Sequence, residues 1–523
     1  MYKCLYNYEF AMPFLTRTPY QDYTENVKQA QIEGLVNEVG GTQVDAIMCC
    51  PTAWRLPLYY SEVNRIWQEQ APLHKDPLPE DDWKFFDKVF SRIKRYMLGE
   101  NYADPVQIGL EATRKNGMAF FISYRMNDFH YTYYTGKHKC PTMDPLWQDH
   151  PEYRIGDGAG HFVMNYMIPE VRAWYFNILR ELAEKYDIDG MELDFMRHNY
   201  FFRPEEVEKG RGVMTGFVRE IRSLLNALAA KRGKPLRLCV RVPRNLKLCD
   251  VVGLDVVAWD QEGLIDMLNA STHFRNSPEI DIEGFKSKIP RASLYAEMHF
   301  ALGGAKLRHR LNSNVNRRTT GRMYETTAFG FLDRGADGLS LFNFPYTRDH
   351  QLNDPRRRMI QDAEPPFGIL RHILDRDYLE QREKHYTIVP GFDLLPRNIP
   401  APAPLEFDIY IADRFEKWIF EEAVLRLELE IEKYFIAEAL DLYWNDVQLE
   451  RIPGSGELFR PLSQEALPMP EELLFYNVPP DCLKHGNNKL KIVGKTTDEF
   501  FYVTLCHTLL TGIELALYKH KRD

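Results

Sequence analysis

From the first residue to about residue 365, short apolar runs alternate with longer stretches whose apolar side chains recur every three or four positions. Runs of the first kind suit strands buried on both faces, and stretches of the second kind suit helices packed on a sheet. Eight candidate strands follow one another: Lys3–Glu9, Val44–Met48, Ala119–Arg125, Gly190–Phe195, Leu236–Val242, Asp266–Ser271, Ser293–His299 and Gly338–Phe344. Eight is the number that closes a parallel barrel. The helical stripes between them are plain. Pro169 opens one, with Val171, Trp174, Tyr175, Ile178, Leu179 and Leu182 on its apolar face. Val213, Phe217, Val218, Ile221, Leu224, Leu225 and Leu228 mark another. Proline suits a first helical turn, because its missing N–H would have no partner there.

The pattern changes after a proline-rich stretch, Pro396–Pro404. Alternating strands are predicted at Asp408–Ala412, Val424–Glu430, Leu440–Trp444, Leu490–Val493 and Ile513–Tyr518, with turn chemistry at Gly486-Asn487-Asn488. No strong helical stripe intervenes, so an antiparallel sandwich is expected. The predicted fold class is α/β, a (β/α)8 TIM-type barrel followed by a C-terminal β-sandwich. The predicted domains are a catalytic barrel over 1–370, a helical and proline-rich connector over 371–404, and the sandwich over 405–523.

Composition narrows the picture without naming a function. The 523 residues are too many for one core, and 44% hydrophobic with 27% charged is ordinary for a globular chain. Sixty-six Lys and Arg stand against 75 Asp and Glu, a net charge of −9. No general attraction to nucleic acid or to an anionic membrane follows, and an anionic substrate would need locally placed arginines. The eight cysteines form no C-x-x-C pair and have no zinc-ligand spacing, so reduced, mostly buried thiols are expected and no metal or cofactor. The N-terminus carries no apolar signal core, which reads as cytoplasmic; a secreted chain with its leader already removed would read the same.

In a parallel barrel, catalytic groups come from the C-terminal ends of the strands and the loops after them. Two long insertions there, about 50–80 and 130–168, are rich in Tyr, Trp, Pro and Gly. The densest polar set is Ser123-Tyr124-Arg125-Met126-Asn127-Asp128-Phe129-His130, directly after a buried run. So many polar groups beside a core are costly unless used. Arg125 suits capture of a carboxylate, Asn127 suits a substrate contact, and His130 suits general acid–base work with Asp128 to orient it. The second set is Asp187-Ile188-Asp189-Gly190-Met191-Glu192-Leu193-Asp194-Phe195-Met196-Arg197-His198. Alternation puts Glu192 and Asp194 on one face, and Arg197 follows to balance them. The structural alternative for this set is a salt-bridge layer inside the barrel. Glu9, Arg241, Glu297, His299 and Asn343 stand at other strand ends. Gly156–Gly160 (GDGAG) lacks the Lys and Ser/Thr of a phosphate loop and reads as a turn.

The segment Arg125–His130, the run IDGMELDFMRH and the late LFNFPY strand resemble the barrels of glycoside hydrolase family 156, inverting exo-sialidases with a (β/α)8 barrel and a C-terminal β-sandwich. The stretch Val478–Val493 is similar to the closing strands of such sandwiches. The resemblance implies that His130 is the catalytic histidine, that Arg125 and Arg197 hold the sugar carboxylate, and that Asn343 contacts substrate. The family's other catalytic residue is an aspartate at the end of the first strand. This chain reads Asn7-Tyr8-Glu9-Phe10 there, so Glu9 is the nearest counterpart and the aspartate is absent.

The leading expectation is therefore an exo-acting, inverting glycoside hydrolase that removes a terminal acidic sugar, sialic acid first. Its partner is a glycan, with no nucleic acid and no membrane, and a homo-oligomer is left open. His130, Glu9 and Asp128 are the expected catalytic groups; Arg125, Asn127, Arg197, Glu192, Asp194, Arg241, Glu297 and Asn343 are the expected substrate contacts. Two alternatives stand beside it. One is a retaining glycosidase on another sugar, using Glu192 or Asp194 with Glu297, whose carboxyl groups would stand roughly 5–5.5 Å apart. The other is a silent carbohydrate-binding barrel, favoured if His130 points away from the mouth or is buried in a closed salt-bridge network.

Overall fold

The computed structural model describes residues 1–15, 27–67, 90–128, 130, 143–156, 162–273, 275–302, 318–346, 365–388, 394–395, 397–399, 403–431, 439–453, 472–495 and 508–521. Most of the GDGAG turn, Phe129, and parts of both aromatic-rich insertions lie outside them. The chain divides into two compact units. The first holds residues 1–273, 280–297 and 335–349; the second holds 274–279, 298–334 and 350–523.

The first unit is built on the expected barrel. Its strands are β1 (Cys4–Glu9), β2 (Ala46–Cys50), β3 (Ala119–Arg125), β4 (Gly190–Asp194), β5 (Arg237–Pro243), β6 (Met267–Ser271), β7 (Ser293–His299) and β8 (Gly338–Phe342). Together they close into one barrel in sequential order. The pairings β1–β2, β4–β5 and β8–β1 are parallel, with Leu5 opposite Ala46, Glu192 opposite Cys239 and Cys4 opposite Leu339. Where strand ends differ from the predicted ones they do so by one or two residues, the usual fraying where ladder bonds stop.

Helices alternate with these strands. They are α1 (Gln29–Asn37), α2 (Pro105–Lys115), α3 (Pro169–Lys185), α4 (Val207–Arg232), α5 (Val256–Gln261) and α6 (Ile282–Lys288). Their starts follow local chemistry. Asp104 caps α2 by accepting from the N–H groups of Val106 and Gln107, with Pro105 in the first turn. The α3 and α4 stripes bury Val171, Tyr175, Ile178 and Leu182, and Phe217, Val218, Ile221 and Leu225. No helix among the described residues is long and apolar enough to cross a membrane.

The barrel interior is layered, and the layers explain which residues reach the mouth. At the floor, Leu5, Met48, Phe121, Cys239, Met267 and Tyr295 form an apolar cluster. Two glycines make room for the two largest rings. A Cβ on Gly190 would stand 2.3 Å from Phe121, and one on Gly338 would stand 2.6 Å from Tyr295. Above the floor sits a polar layer that links alternate strands across the interior. Asn7 donates to Ser123 Oγ at 3.3 Å, and Asn269 donates to Ser340 Oγ at 3.1 Å and to Glu192 Oε2 at 3.2 Å. Glu192 Oε1 accepts from Ser123 Oγ at 2.6 Å. Burial, with the nearby Asp194 charge, pushes the Glu192 carboxyl up to about 7. The free cysteines Cys4, Cys49, Cys50, Cys239 and Cys249 are buried, and Cys482 is half-buried; Cys140 and Cys506 lie outside the described residues.

The second unit carries two antiparallel sheets. Its strands are β9 (Lys384–Ile388), β10 (Arg397–Asn398), β11 (Leu405–Ile411), β12 (Trp418–Ile431), β13 (Leu440–Trp444), β14 (Val447–Gln448), β15 (Glu450–Ile452), β16 (Glu472–Asn477), β17 (Gly486–Gly494) and β18 (Thr508–Lys521). One sheet runs β9-β18-β12-β16-β15, with β10 also on β18; the other runs β11-β17-β13-β14. Phe407, Ile409, Leu442, Trp444 and Leu490 of the second sheet share one core with Tyr386, Leu425, Leu427, Ile513 and Leu515 of the first. That is a sandwich. Two boundaries shift from the prediction. The sandwich begins at β9, inside the expected connector, because Lys384–Ile388 pairs with Ile513–Leu517. Gly486-Asn487-Asn488 opens β17 and is not a free turn, although Gly486 keeps the positive φ of a turn residue (90°). This unit also holds the helix α7 (Gly321–Asp333), whose Thr326 Oγ1 accepts from the His385 N–H at 2.8 Å.

Candidate active site

Moving up the barrel from the Glu192 layer, the next inward residues are ionic. Arg241 donates from Nη1 to Asp194 Oδ1 at 2.8 Å, and from Nε and Nη2 to Glu297 at 2.5 and 2.8 Å. Its guanidinium lies 3.8 Å from the Phe342 ring centre, and Ser271 Oγ accepts from Nη2 at 3.0 Å. Arg241 is 0% exposed and Asp194 and Glu297 are 1% exposed. Four expected substrate contacts thus lie in the barrel interior, Asp194 and Glu297 paired with Arg241 and Glu192 held by Ser123 and Asn269. His299, at the end of β7, accepts from the Ala301 N–H at 3.4 Å.

The remaining predicted residues gather at the mouth. Arg125 ends β3, and its guanidinium meets Glu9 Oε1 of β1 at 3.1 Å and Asp128 Oδ2 at 3.0 Å. Asp128 is buried, and its other oxygen accepts from the backbone N–H of His130 at 3.0 Å and from the ring at Nδ1. Arg197, just beyond β4, lies against His130 Nε2. Arginine carries only donors, so Nε2 must be the accepting nitrogen and Nδ1 carries the proton given to Asp128. The side chain of His130 is 21% exposed, whereas that of Asp128 is 1% exposed. A buried carboxylate under a partly exposed imidazole of defined tautomer is the arrangement general base catalysis needs.

The electrostatics agree with that division. Burial pushes the Asp128 carboxyl up, but His130, Arg125 and Arg197 outweigh it and hold it well below the usual carboxylate range. Burial and the Arg197 charge lower His130, against the opposing pull of Asp128. Near neutral pH Asp128 is therefore ionised and His130 is neutral, with its Nε2 lone pair in place. Burial, followed by Arg125, also lowers Arg197 from its ordinary value.

Three residues at or behind this site were not anticipated. His198 packs edge-on against His130, ring centres 5.0 Å apart, with Nδ1 3.8 Å from Asp128 Oδ1. Its φ of 66° is a left-handed conformation that costs a non-glycine residue about 1–3 kcal/mol and concentrates at functional sites. Burial pushes its ring down to about 2. Arg55 and Asp144 lie behind the mouth. Arg55 donates to Asp144 Oδ2 at 2.5 Å, to Tyr175 Oη at 2.9 Å and to the Asp128 carbonyl at 3.2 Å, which ties the loops after β2 and β3 together. Asn127 does similar work. Both its amide hydrogens go to the carbonyls of Met164 and Tyr200, at 2.9 and 2.7 Å, and its oxygen accepts from the Met164 N–H. Expected to touch substrate, Asn127 instead spends its amide on the main chain and positions the loop. Asn343 follows β8 with a φ of 51°, a conformation asparagine tolerates better than most residues.

The ligand atoms of Asp128, His130 and His198 all lie within 4.8 Å of one another, close enough to be tested as a metal site. The fit is poor. The Nδ1 of His130 carries the proton given to Asp128, and two guanidiniums, of Arg125 and Arg197, flank the set. A divalent cation would face both positive charges and lose one nitrogen donor.

No protein-family model matches the chain, and no curated protein matches it. Among solved structures, it is similar to a cycloisomaltooligosaccharide glucanotransferase of Paenibacillus sp., at 10% identity and a TM-score of 0.32, covering 98% of this chain and 57% of that one. It is also similar to the chitinase ChiW of Paenibacillus sp., at 8% identity and a TM-score of 0.40, covering 95% and 52%. A bacterial fucosidase aligns over 96% and 94% at 8% identity and a TM-score of 0.35. The chain thus spans little more than half the length of the first two. Similarity at this level carries no argument about activity; the barrel is read from the chain's own strand pairing.

Proposed function

We propose that the chain is a glycoside hydrolase, exo-acting and inverting, that removes a terminal sugar bearing a carboxylate, with sialic acid as the first candidate. The observation that carries the reading is the Asp128–His130 pair at the barrel mouth with Arg197 at the same ring. Support also comes from the resemblance of Arg125–His130, IDGMELDFMRH and LFNFPY to glycoside hydrolase family 156.

In this mechanism a water oxygen attacks the anomeric carbon while its proton passes to His130 Nε2. The glycosidic C–O bond breaks on the opposite side of the ring, and the leaving oxygen takes up a proton. Asp128 stays ionised, orients His130 and stabilises the imidazolium that forms. Arg197 holds the sugar carboxylate. Arg125 is engaged by Glu9 and Asp128, so its part is to fix these two carboxylates. The ionic layer beneath would favour the positive charge that develops on the sugar ring. Glu9 is the remaining proton donor for the leaving oxygen. Substrates that expel a stable phenolate depend least on that proton and should turn over fastest.

The retaining alternative is less well supported, because Arg241 engages both Asp194 and Glu297 in the interior. The silent barrel stands as the second reading, since Asp128 and Arg197 engage both nitrogens of the His130 ring; turnover that His130→Ala abolishes would rule it out. The test is NMR of the protein acting on an α-linked aryl sialoside, beside His130→Ala. Release of β-sialic acid as the first product, abolished in the variant, supports the proposal. Release of the α anomer first would replace inversion with retention. If a panel of sialosides and uronides gives no turnover, catalysis on acidic sugars is wrong.

A further inference from the structure

Both ring nitrogens of His130 are engaged. Asp128 takes the Nδ1 proton, and the Arg197 guanidinium lies on Nε2, with the same Nη2 3.5 Å from Nδ1. The nitrogen that would accept a proton from water therefore faces a cation. We propose that Arg197 caps His130 in the free protein and that a carboxylate on the bound sugar draws Arg197 away and uncovers Nε2. The idea rests on the functional reading above and adds to it a coupling between substrate recognition and the base.

The physical basis is a difference between two acceptors. A neutral imidazole offers a guanidinium one lone pair, whereas a carboxylate offers a charged, bidentate partner, roughly twice as strong per hydrogen bond. Burial and the like charge of Arg125 together disfavour the charged form of Arg197 where it stands, against the weaker pull of Asp128 and Glu9. Among the described residues, the groups facing the ring include Asp128 beneath it, Arg197 on Nε2, His198 edge-on at 5.0 Å, and Arg125 behind Asp128. Of these, Arg197 alone blocks the accepting nitrogen. Asp128 is fixed by Arg125 and by the His130 backbone N–H, so the ring keeps its orientation when the cap moves.

A specificity rule follows. A sugar lacking the carboxylate would fill the pocket and leave the base covered, so its defect would appear in kcat and not only in KM. Discrimination would lie in the chemical step, which a passive carboxylate clamp does not require.

The direct test follows the His130 ring by NMR in the full-length, histidine-labelled protein, with its signal assigned from His130→Gln. The pH titration is run alone, with sialic acid, and with sialic acid methyl ester; Arg197→Gln is run alone. The His130 midpoint should rise by roughly one to three pH units with sialic acid, as expected when a neighbouring positive charge is removed or neutralised. It should stay in place with the ester, and should already be raised in Arg197→Gln. Carbethoxylation of His130 by diethyl pyrocarbonate, read by mass spectrometry, should accelerate in the same order. If sialic acid binds by calorimetry but leaves the midpoint and the modification rate unchanged, the cap is wrong while the glycosidase reading stands. An unchanged midpoint in Arg197→Gln also overturns the cap. If no sugar acid binds at all, the functional reading fails, and the Arg197→Gln titration still decides whether His130 is capped.

Discussion

Arg241 and Arg197 both follow from barrel strands and both touch groups expected to meet substrate, yet their surroundings differ in every respect that matters. Arg241 is fully buried and pairs with two carboxylates that are themselves buried, with a serine and an aromatic face completing its shell. Arg197 is half-buried, stands beside another arginine, and has among its partners a neutral ring with a fifth of its surface open. The first arrangement leaves nothing for a ligand to improve. The second offers an anion a better partner than the one in place. The interior layer thus reads as structural and the mouth as chemical, although the two follow one another along the same strands.

That contrast can be broken from either side. The largest expected effect is on stability: Arg241→Met leaves Asp194 and Glu297 buried without their cation and should cost about 3–5 kcal/mol in denaturant unfolding. A loss below about 1 kcal/mol would mean the layer is wet and open to ligand. At the mouth, His130→Ala should lower kcat/KM by about 10²–10⁴-fold, the usual reach of general base catalysis, with the unfolding midpoint unmoved. Asn127→Ala strips a main-chain clamp and should cost about 1–3 kcal/mol of stability. The smallest effect distinguishes the layers by pH. Glu192 is raised to about 7 in the folded chain against 4.5 when unpaired, so the folded state holds the extra proton between those values. Stability from this group is full below about pH 4.5 and declines as the pH rises through about 7. Glu192→Gln should flatten that decline in a pH series of unfolding curves, with turnover near neutral pH preserved.

Much of this could be read from residue order. Ala119–Arg125 and Ser293–His299 emerged with the predicted bounds, because an apolar run closed by charged residues has one comfortable place in a parallel barrel. Lys384–Ile388 was missed as a strand, since KHYTI is short, opens on a lysine and follows a helical stretch; its partner, Thr508–Lys521, lies more than a hundred residues away. The site divides in the same way. Asp128 and His130 stand two positions apart, so their pairing is local and legible. His198 was overlooked because its importance lies in a positive φ and in a ring across the mouth, neither written in the neighbouring letters. Arg55 finds Asp144 across 89 positions, a contact only the closed barrel creates. Alternation set Glu192 and Asp194 on one face, and Arg241 and Glu297 stood out only as strand ends; neither signal carries information on depth.

The most direct test of the account compares His130→Gln with Arg241→Met on one aryl sialoside, measuring turnover and the denaturation midpoint for each. The account predicts that His130→Gln keeps the midpoint and loses turnover by about 10²-fold or more. Arg241→Met should lose several kcal/mol of stability while its folded fraction retains measurable turnover. An active His130→Gln, or a His130→Gln as destabilised as Arg241→Met, would contradict the assignment of chemistry to the mouth.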